Sequence, residues 1–548
     1  MTLTHDSNDQ RPGPDADTSG NTPATGAPAP IRNCLFIMCD QLRADYLSCY
    51  GGPVPTPNID RLAAAGVRFT RAYVNAGVCG PARMSFYSGR YPISHRVTWN
   101  RVPMPVDERT LGDLMRESGR ELALLGKTHF VPDRHALHAH GYRMDEPERR
   151  LFDEGGFMPV ERYDGHFEPG EDSPYRRYLL ERGYDSARPW TDFVIGSRDA
   201  HGEPATGWLL RNAPLPALVA AEDSETAYLT TRAIDWISAQ GDTPWALHLS
   251  YIKPHWPFKA PQPYHAMFGV DDCPAPTRAA HERVNPHPVF GAYQRLEESE
   301  SFARDEVWQA VRPVYMGLVR QIDDELGRLL DALQAQGRLQ DTLIVFTADH
   351  GDLAGDHWLG EKEYFYEPVM RVPMIVCDPG APATMRGLVS DAFVECVDVA
   401  PTLLDALGLP AHEHRIEGRS LLPITRTGSP ASNWRDCVFG QLDYAYREAR
   451  QFLGRDIDAC NGIMVREDRY KYIWWQGYAE QLFDLHDDPD ELHDRGKDAA
   501  LAPVRERCRA RMADWLATRK HRTTEDRAQV QARTHAHERM MSILIGRW

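Results

Sequence analysis

The sequence has no uninterrupted apolar run of the roughly 18 to 20 residues that a membrane-spanning helix requires. Its 548 residues are 42% hydrophobic and 26% charged, which is the composition of a globular chain that can bury a large core. We therefore expect no membrane anchor. The length favours one large domain with an appendage, or about two to three domains.

Basic residues are too few to balance the acidic ones. The chain has 62 lysine and arginine residues against 79 aspartate and glutamate residues, so its formal net charge is −17. Binding to nucleic acid depends on a basic surface that displaces counterions, and we therefore expect no nucleic-acid partner. If the substrate is anionic, a metal ion and a few basic side chains inside a pocket must supply the positive field.

The ten cysteines lack paired spacing, and several of them, such as Cys34, Cys39 and Cys377, lie inside apolar runs where a buried thiol is the ordinary interpretation. Residues 1–30 are rich in Asp, Asn, Thr, Gly and Pro and do not combine a basic start with an apolar stretch. We therefore expect a disordered leader rather than a secretory signal. Together these features predict a reducing, cytoplasmic location.

From about Ile31 the sequence alternates short apolar runs with helical patterns. This rhythm predicts an α/β fold with a large, mostly parallel sheet between helices. Buried strands are expected at 34–39, 121–125, 245–251, 342–348 and 373–377. Helices are expected near 58–66, 108–118, 223–239, 306–335 and 398–408. Pro313 should start, kink or divide the fourth helix.

The pattern changes after about Leu422. Short antiparallel strands are expected at 437–443, 461–466, 469–475 and 481–485, followed by a helix near 501–519. Two irregular stretches, 150–210 and 255–300, are expected to shape a pocket. The predicted organisation is a leader at 1–30, a large α/β domain at 31–425, a smaller α+β subdomain at 426–520 and a tail at 521–548.

Polar side chains follow four of the predicted strands, and the carboxyl ends of parallel strands share one rim of a sheet. Each pair alone has an ordinary explanation, such as a helix cap or a solvated side chain. Four together predict a site, in which two carboxylates, an amide oxygen and an imidazole surround a divalent cation. The strand-end residues are Asp40, Gln41, Lys127, His129, Lys253, His255, Asp349 and His350, and the proposed ligands are Asp40, Gln41, Asp349 and His350.

The segment that begins at Cys79 could supply a nucleophile. Pro81 suits the first turn of a helix, which would place Cys79 at the positive N-terminal end, where anions are favoured. Arg83 lies about one helical turn further on, so its guanidinium could face the same point. On Cys79 and Pro81 alone, a buried thiol before a helix is the preferred interpretation.

Cys79, Pro81 and Arg83 form a Cys-x-Pro-x-Arg pattern that resembles the motif of type I sulfatases, members of the alkaline phosphatase superfamily. In that family a formylglycine-generating enzyme converts the cysteine to formylglycine. Ser88-Gly89-Arg90 follows at the family's usual distance, although Ser88 stands where Thr is usual. The resemblance extends from Ile31 to about Leu501. It implies an alkaline-phosphatase-like fold, formylglycine at position 79 and one divalent metal ion, Mn²⁺ or Ca²⁺ ahead of Mg²⁺ or Zn²⁺.

The resemblance also implies a role for each polar residue of the site. The metal would be bound by Asp40, Gln41, Asp349, His350 and the oxidised Cys79. Arg83 and Lys127 would stabilise the hydrated aldehyde, and His129 would act as base on its second hydroxyl. His255 would protonate the leaving oxygen with help from Lys362, and Asn100 would bind an ester oxygen. The alternatives are a His255 that only packs in its proline-rich loop and a Lys362 that is a solvated helix residue.

Within the family, the chain is similar to the phosphonate monoester hydrolase and choline sulfatase branch. Residues 263–267 and 546–548 resemble phosphonate hydrolases, whereas Lys127 and His129 are typical of sulfatases. We therefore expect hydrolysis of small anionic sulfate monoesters with promiscuity toward phosphonate monoesters. The alternative is an enzyme whose main substrates are phosphonate monoesters or phosphodiesters.

Two further alternatives change the class of protein. One is an inactive binding protein on the same fold, and the other is a phosphatase or phosphomutase with Ser85 or Thr70 as its nucleophile. For this branch of the family we also expect a homodimer or homotetramer.

Overall fold

The computed structural model describes residues 31–143 and 152–534. The predicted leader at 1–30 and the end of the predicted tail, 535–548, lie outside the described residues. In chain order the strands are β1 Asn33–Asp40, β2 Val67–Phe69, β3 Ala72–Tyr73, β4 Ala123–Gly126, β5 Met158–Arg162, β6 Gly196–Arg198, β7 Pro204–Thr206, β8 Ala246–Pro254, β9 Thr342–Ala348, β10 Met374–Cys377, β11 Leu388–Ser390, β12 Val394–Glu395, β13 Cys437–Asp443, β14 Asn461–Glu467, β15 Tyr470–Trp475 and β16 Gln481–Asp484.

Eight strands form a large sheet in the order β11-β2-β10-β9-β1-β8-β4-β5. In this sheet β10 runs antiparallel to both neighbours, and the other pairs are parallel. Strands β13 to β16 form a separate four-stranded antiparallel sheet. The expected α/β fold with a smaller C-terminal antiparallel sheet is therefore confirmed.

Helices cover the sheet and connect its strands. The α-helices are Pro57–Ala65, Cys79–Ser88, Pro92–His95, Leu111–Glu117, Arg134–Ala139, Pro174–Glu181, Glu225–Ala239, Pro288–Tyr293, Glu297–Phe302, Asp305–Ala335, Glu367–Met370, Val399–Ala406, Leu422–Thr427, Glu448–Phe452, Ala502–Ala517 and Arg527–Arg533. Pro313 lies inside Asp305–Ala335, so it neither starts nor divides that helix. Because proline has no N–H, the carbonyl four residues earlier loses its usual helical donor, and the surrounding packing tolerates this.

The centre of the large sheet explains where the polar strand ends meet. Every residue of β1, β8 and β9 is buried, as expected for parallel strands covered on both faces. Cys39 of β1 is paired with Tyr251 of β8 and with Ala348 of β9. This register brings the residues that follow each strand to one rim of the sheet.

The residues of the small sheet divide between two cores, and Ile473 and Phe483 belong to the main one. Tyr472 and Leu482 of this sheet pack with Cys508 and Trp515 of the helix Ala502–Ala517. No helix in the described part of the chain combines the length and the apolar composition that crossing a membrane requires.

Candidate active site

Position 79 lies at the start of a buried helix. Val78 is extended, the helix Cys79–Ser88 begins at Cys79, and Pro81 occupies its first turn. Pro81 fits there because the missing N–H would have no intrahelical acceptor. The Sγ atom of Cys79 lies 3.1 Å from His350 Nε2 and 3.7 Å from Asp40 Oδ1. The helix N-terminus, which favours anions, therefore faces the strand-end cluster.

Four of the predicted metal-site residues converge. One ligand atom from each of Asp40, Cys79, Asp349 and His350 lies within 4.8 Å of every other, and all four residues are buried. His350 Nδ1 lies 2.8 Å from the carbonyl of Gly351, so Nε2 is the nitrogen that faces the cluster. When the ring is neutral and its proton is on Nδ1, this orientation presents the Nε2 lone pair, which is the form that binds metal ions.

The charges around this cluster suit a cation. Burial and the neighbouring Asp40 carboxylate raise the pKa of Asp349, even though Arg83 opposes the shift. Two buried carboxylates this close repel each other, and a divalent ion between them would relieve the repulsion. The donor set of carboxylate oxygens and one imidazole therefore fits a divalent metal ion.

Gln41, the fifth predicted ligand, lies against the same cluster. Its backbone is in the left-handed region with a φ of 65°, and its N–H donates to Asp349 Oδ1 at 3.0 Å. Its side-chain oxygen accepts from Lys362 Nζ at 2.9 Å, and its Nε2 donates to Asp352. The amide oxygen is therefore already engaged by Lys362, and Asp352 orients the amide group.

Arg83 holds the carboxylates in place. Its Nε donates to Asp349 Oδ2 at 2.7 Å, and its Nη2 lies 3.5 Å from Asp40 Oδ2. Its Nη1 donates to the Lys127 carbonyl and to Ser250 Oγ, both at 2.8 Å. The guanidinium therefore joins the ends of β1, β4 and β9 to the middle of β8. Its predicted contact with a hydrated aldehyde stays a prediction.

Lys127 and His129 lie close to Asp40 and Cys79. Lys127 Nζ forms an ion pair with Asp40, and a hydrogen bond with His129 contributes to lowering the pKa of Cys79. Burial alone would raise the pKa of this thiol, but the charges of Lys127, Lys362 and His350 lower it well below its usual value. The surroundings of position 79 thus favour an anion.

His166 is a site residue that sequence reasoning missed. Its Nε2 lies 2.8 Å from Lys127 Nζ, and its ring centroid is 4.5 Å from that of His255. One ligand atom from each of Asp40, His166 and His255 lies within 4.8 Å of the other two. His166 follows β5, so the strand-end rule could have found it. Pro159 and the charged residues of β5 hid this strand from the hydrophobic pattern.

His255 and Lys362 form a buried pair. His255 Nδ1 lies 2.7 Å from the carbonyl of Trp256, and its Nε2 lies 2.7 Å from Lys362 Nζ. Burial, followed by the charge of Lys362, lowers the pKa of His255 to about 3, so the ring is neutral near pH 7. Burial alone would lower the pKa of Lys362, but Cys79 and Glu361 raise it above its usual value. The proton shared by this pair therefore resides on Lys362.

The structure decides between the two interpretations of Lys362. Lys362 is 7% exposed and lies outside the described helices, so the alternative of a solvated helix residue is wrong.

Asn100 Oδ1 accepts from the N–H of Gly80 at 2.8 Å. This hydrogen bond fixes the Asn100 side chain at the start of the helix, next to position 79.

The chain belongs to the sulfatase family. The family model described as Sulfatase matches residues 32–409, and the model described as N-sulphoglucosamine sulphohydrolase, C-terminal, matches residues 355–518. The predicted family is thus confirmed, and the family identifies the chain as a hydrolase that acts on sulfuric esters.

Particular relatives cover almost the whole chain. The multifunctional alkaline phosphatase superfamily protein PehA of Trinickia caryophylli is 31% identical over 513 residues, which are 90% of this chain and 96% of that protein. An arylsulfatase of Clostridium perfringens is 26% identical over 489 residues, 84% of this chain and 89% of that protein. The structure of a phosphonate monoester hydrolase from Silicibacter pomeroyi superposes with a TM-score of 0.79 at 31% identity, covering 90% and 96% of the two chains.

Proposed function

We propose that this protein hydrolyses sulfate monoesters, and phosphonate monoesters less efficiently, with formylglycine derived from Cys79 and one divalent metal ion. The observation that carries the proposal is the convergence of Cys79 with Asp40, Asp349 and His350 at the N-terminus of a buried helix. Lys127 and His129 beside them supply the basic groups that an anionic ester needs.

Asp40, Gln41, Asp349 and His350 would hold the metal ion together with position 79. When present, the ion and the formylglycine supply a hydroxyl nucleophile of lowered pKa and neutralise charge on the ester oxygens. The oxygen donors suit Ca²⁺ or Mg²⁺, and the imidazole also admits Mn²⁺ or Zn²⁺; we favour Mn²⁺ or Ca²⁺.

The chain's own residues would move the protons. His255 would take a proton from Lys362, which lies 2.7 Å from its Nε2, before the reaction and would then donate it to the leaving oxygen as negative charge develops there. His129 accepts a proton from the second hydroxyl at position 79, which releases the transferred group. Asn100 donates a hydrogen bond to a non-bridging oxygen, and Arg83 keeps both carboxylates oriented.

Maturation and assembly complete the proposal. Cys79 is 1% exposed in the folded chain, so a formylglycine-generating enzyme must reach it before folding is complete. We further propose that the mature protein is a cytoplasmic homodimer or homotetramer.

A direct comparison of two substrates tests the proposed function. We expect the Mn²⁺-loaded enzyme to have a kcat/KM at least about tenfold higher for 4-nitrophenyl sulfate than for the 4-nitrophenyl ester of phenylphosphonate, because Lys127 and His129 are the residues typical of sulfatases at these two positions. Both esters release the same alcohol, so the ratio reports only the transferred group. A ratio that favours the phosphonate would establish the alternative function, which the 31% identity to the phosphonate monoester hydrolase structure supports. Absence of turnover on both esters would favour the inactive binding protein.

His255→Gln tests the proton donor. We expect kcat/KM to fall about 10²-fold to 10³-fold for an ester of a weakly acidic phenol and less than about tenfold for 4-nitrophenyl sulfate, because a stable leaving group needs little protonation. The measurement is kcat/KM across a series of phenyl sulfates with the variant and with His265→Gln, a control on the same irregular stretch. An equal loss on every ester would show that His255 acts only by packing.

A further inference from the structure

A cavity of about 660 Å³ lies next to the proton-donating pair His255 and Lys362. Trp256 and Glu361, the chain neighbours of that pair, both line it. Its apolar wall also includes the aromatic residues Trp208, Phe258 and Phe302. Its volume is in the range of pockets that bind small organic molecules, which is about 300 to 1,000 Å³.

Two contacts join the cavity to the reacting groups. The ring centroid of Trp256 lies 4.6 Å from that of His255, whose Nδ1 is held by the Trp256 carbonyl. On the other side, Glu361 Oε2 lies 3.6 Å from Lys362 Nζ. If His255 protonates the leaving oxygen, the group attached to that oxygen lies beside Trp256 and the cavity that Trp256 lines.

The wall of the cavity presents indole rings to solvent. Trp208 is 44% exposed and packs edge-on against Trp256, with ring centroids 5.5 Å apart. Trp208 comes from the irregular stretch at 150–210, not from the sheet that builds the metal cluster. Trp256 is half-buried, so the pair combines an exposed ring with a more rigidly held one, and together they offer a ring face and a ring edge to another flat ring.

The charges of the cavity argue against an anionic occupant. Its acidic lining residues are Glu297, Glu298, Glu306 and Glu361, and its basic ones are Arg211 and Arg304. Arg304 lies 3.7 Å from Glu306, Glu298 pairs with Arg447, and Glu361 lies 3.6 Å from Lys362, so most of the charges in the lining are already neutralised. The lining therefore offers little free positive charge to a second negative group on the substrate.

We propose that this cavity binds the alcohol part of the ester and that Trp208 and Trp256 select uncharged aromatic alcohols. The inference rests on the proposed function because it places the leaving group beside His255. It goes further by naming the alcohol class and the residues that recognise it. Trp208 is the residue to vary, because it lines the cavity without contacting the metal cluster.

The kinetic test uses Trp208→Ala in the full-length, metal-loaded enzyme. We expect the wild type to prefer phenyl sulfate to a fluorinated alkyl sulfate of similarly acidic alcohol, and the variant to lose about tenfold in kcat/KM on phenyl sulfate, mostly through KM. On the alkyl ester the change should stay within about twofold, because a small alkyl group makes little contact with an indole. Trp208→Phe should restore most of the preference. Trp236→Ala is the matched control, since Trp236 also packs edge-on against a tryptophan, Trp245, and does not line this cavity.

A binding test separates this inference from the proposed function. Titration of 2-naphthol into the Cys79→Ala protein, with and without Trp208→Ala, measures occupation of the cavity without turnover. Binding that weakens about tenfold with Trp208→Ala supports the inference even if no ester is hydrolysed. Equal naphthol affinity in both proteins, or an equal kinetic loss on both esters, would overturn it.

Discussion

Cys79→Ser should lower kcat/KM for aryl sulfates by at least about 10³-fold, because removal of an essential nucleophile costs several powers of ten. A serine hydroxyl can attack once, but it cannot form the hydrated aldehyde whose second hydroxyl releases the product. Ser85 and Thr70, the alternative nucleophiles, are engaged elsewhere: Ser85 Oγ lies 3.0 Å from His95 Nε2, and Thr70 Oγ1 donates to the Ser390 carbonyl at 3.3 Å.

Intact-mass measurement shows whether the chemistry at Cys79 is the proposed one. Oxidation of the cysteine to formylglycine lowers the mass by roughly 18 Da, and the change should map to the peptide that contains position 79. Cys49→Ser is the control, because Cys49 is a half-buried free thiol outside the cluster. Near-wild-type turnover by Cys79→Ser would leave the formylglycine assignment untenable and would favour a serine or threonine nucleophile.

The strand ends were predictable from the sequence because parallel geometry makes them meet. Asp40, His255 and Asp349 each follow a strong apolar run, and register between neighbouring strands then fixes their proximity. The place of Cys79 at the start of a helix was predictable because Pro81 marks a first turn, whereas its role as nucleophile came from the resemblance of Cys79, Pro81 and Arg83 to the sulfatase motif. These positions could be predicted without knowing which residues distant in the sequence are in contact.

The remaining parts of the site depend on chain segments without periodicity. His166 and Trp208 come from the stretch at 150–210, where the order of side chains carries no information about which face they occupy. Gln41 was predicted as a ligand, but its hydrogen bond with Lys362 depends on a left-handed backbone that the sequence does not announce. The reversed direction of β10 is likewise set by a connection that pattern alone does not determine.

Asp40→Asn should remove both metal binding and activity. Asp40 lies at the end of β1, between Lys127, Arg83 and the other clustered ligands. An amide keeps the size of the side chain but loses the negative charge that attracts the ion. We expect kcat/KM to fall by at least about 10³-fold, because the proposed metal ion would both lower the pKa of the nucleophile and neutralise charge on the ester.

Metal content and thermal stability make this test independent of turnover. A metal ion that binds only the folded protein stabilises it by about 2.7 kcal/mol at 100 times its Kd, so the wild-type Tm should rise with Mn²⁺ and that of Asp40→Asn should not. Asp45→Asn is the matched control, since its carboxylate pairs with Arg43 only a few residues away and is 41% exposed. If Asp40→Asn kept one equivalent of metal by elemental analysis and the same Tm response, the metal would have to lie elsewhere. Asp40 contacts Lys127, Arg83 and Cys79. Metal binding without Asp40 would therefore also mean that these three residues do not surround the metal site.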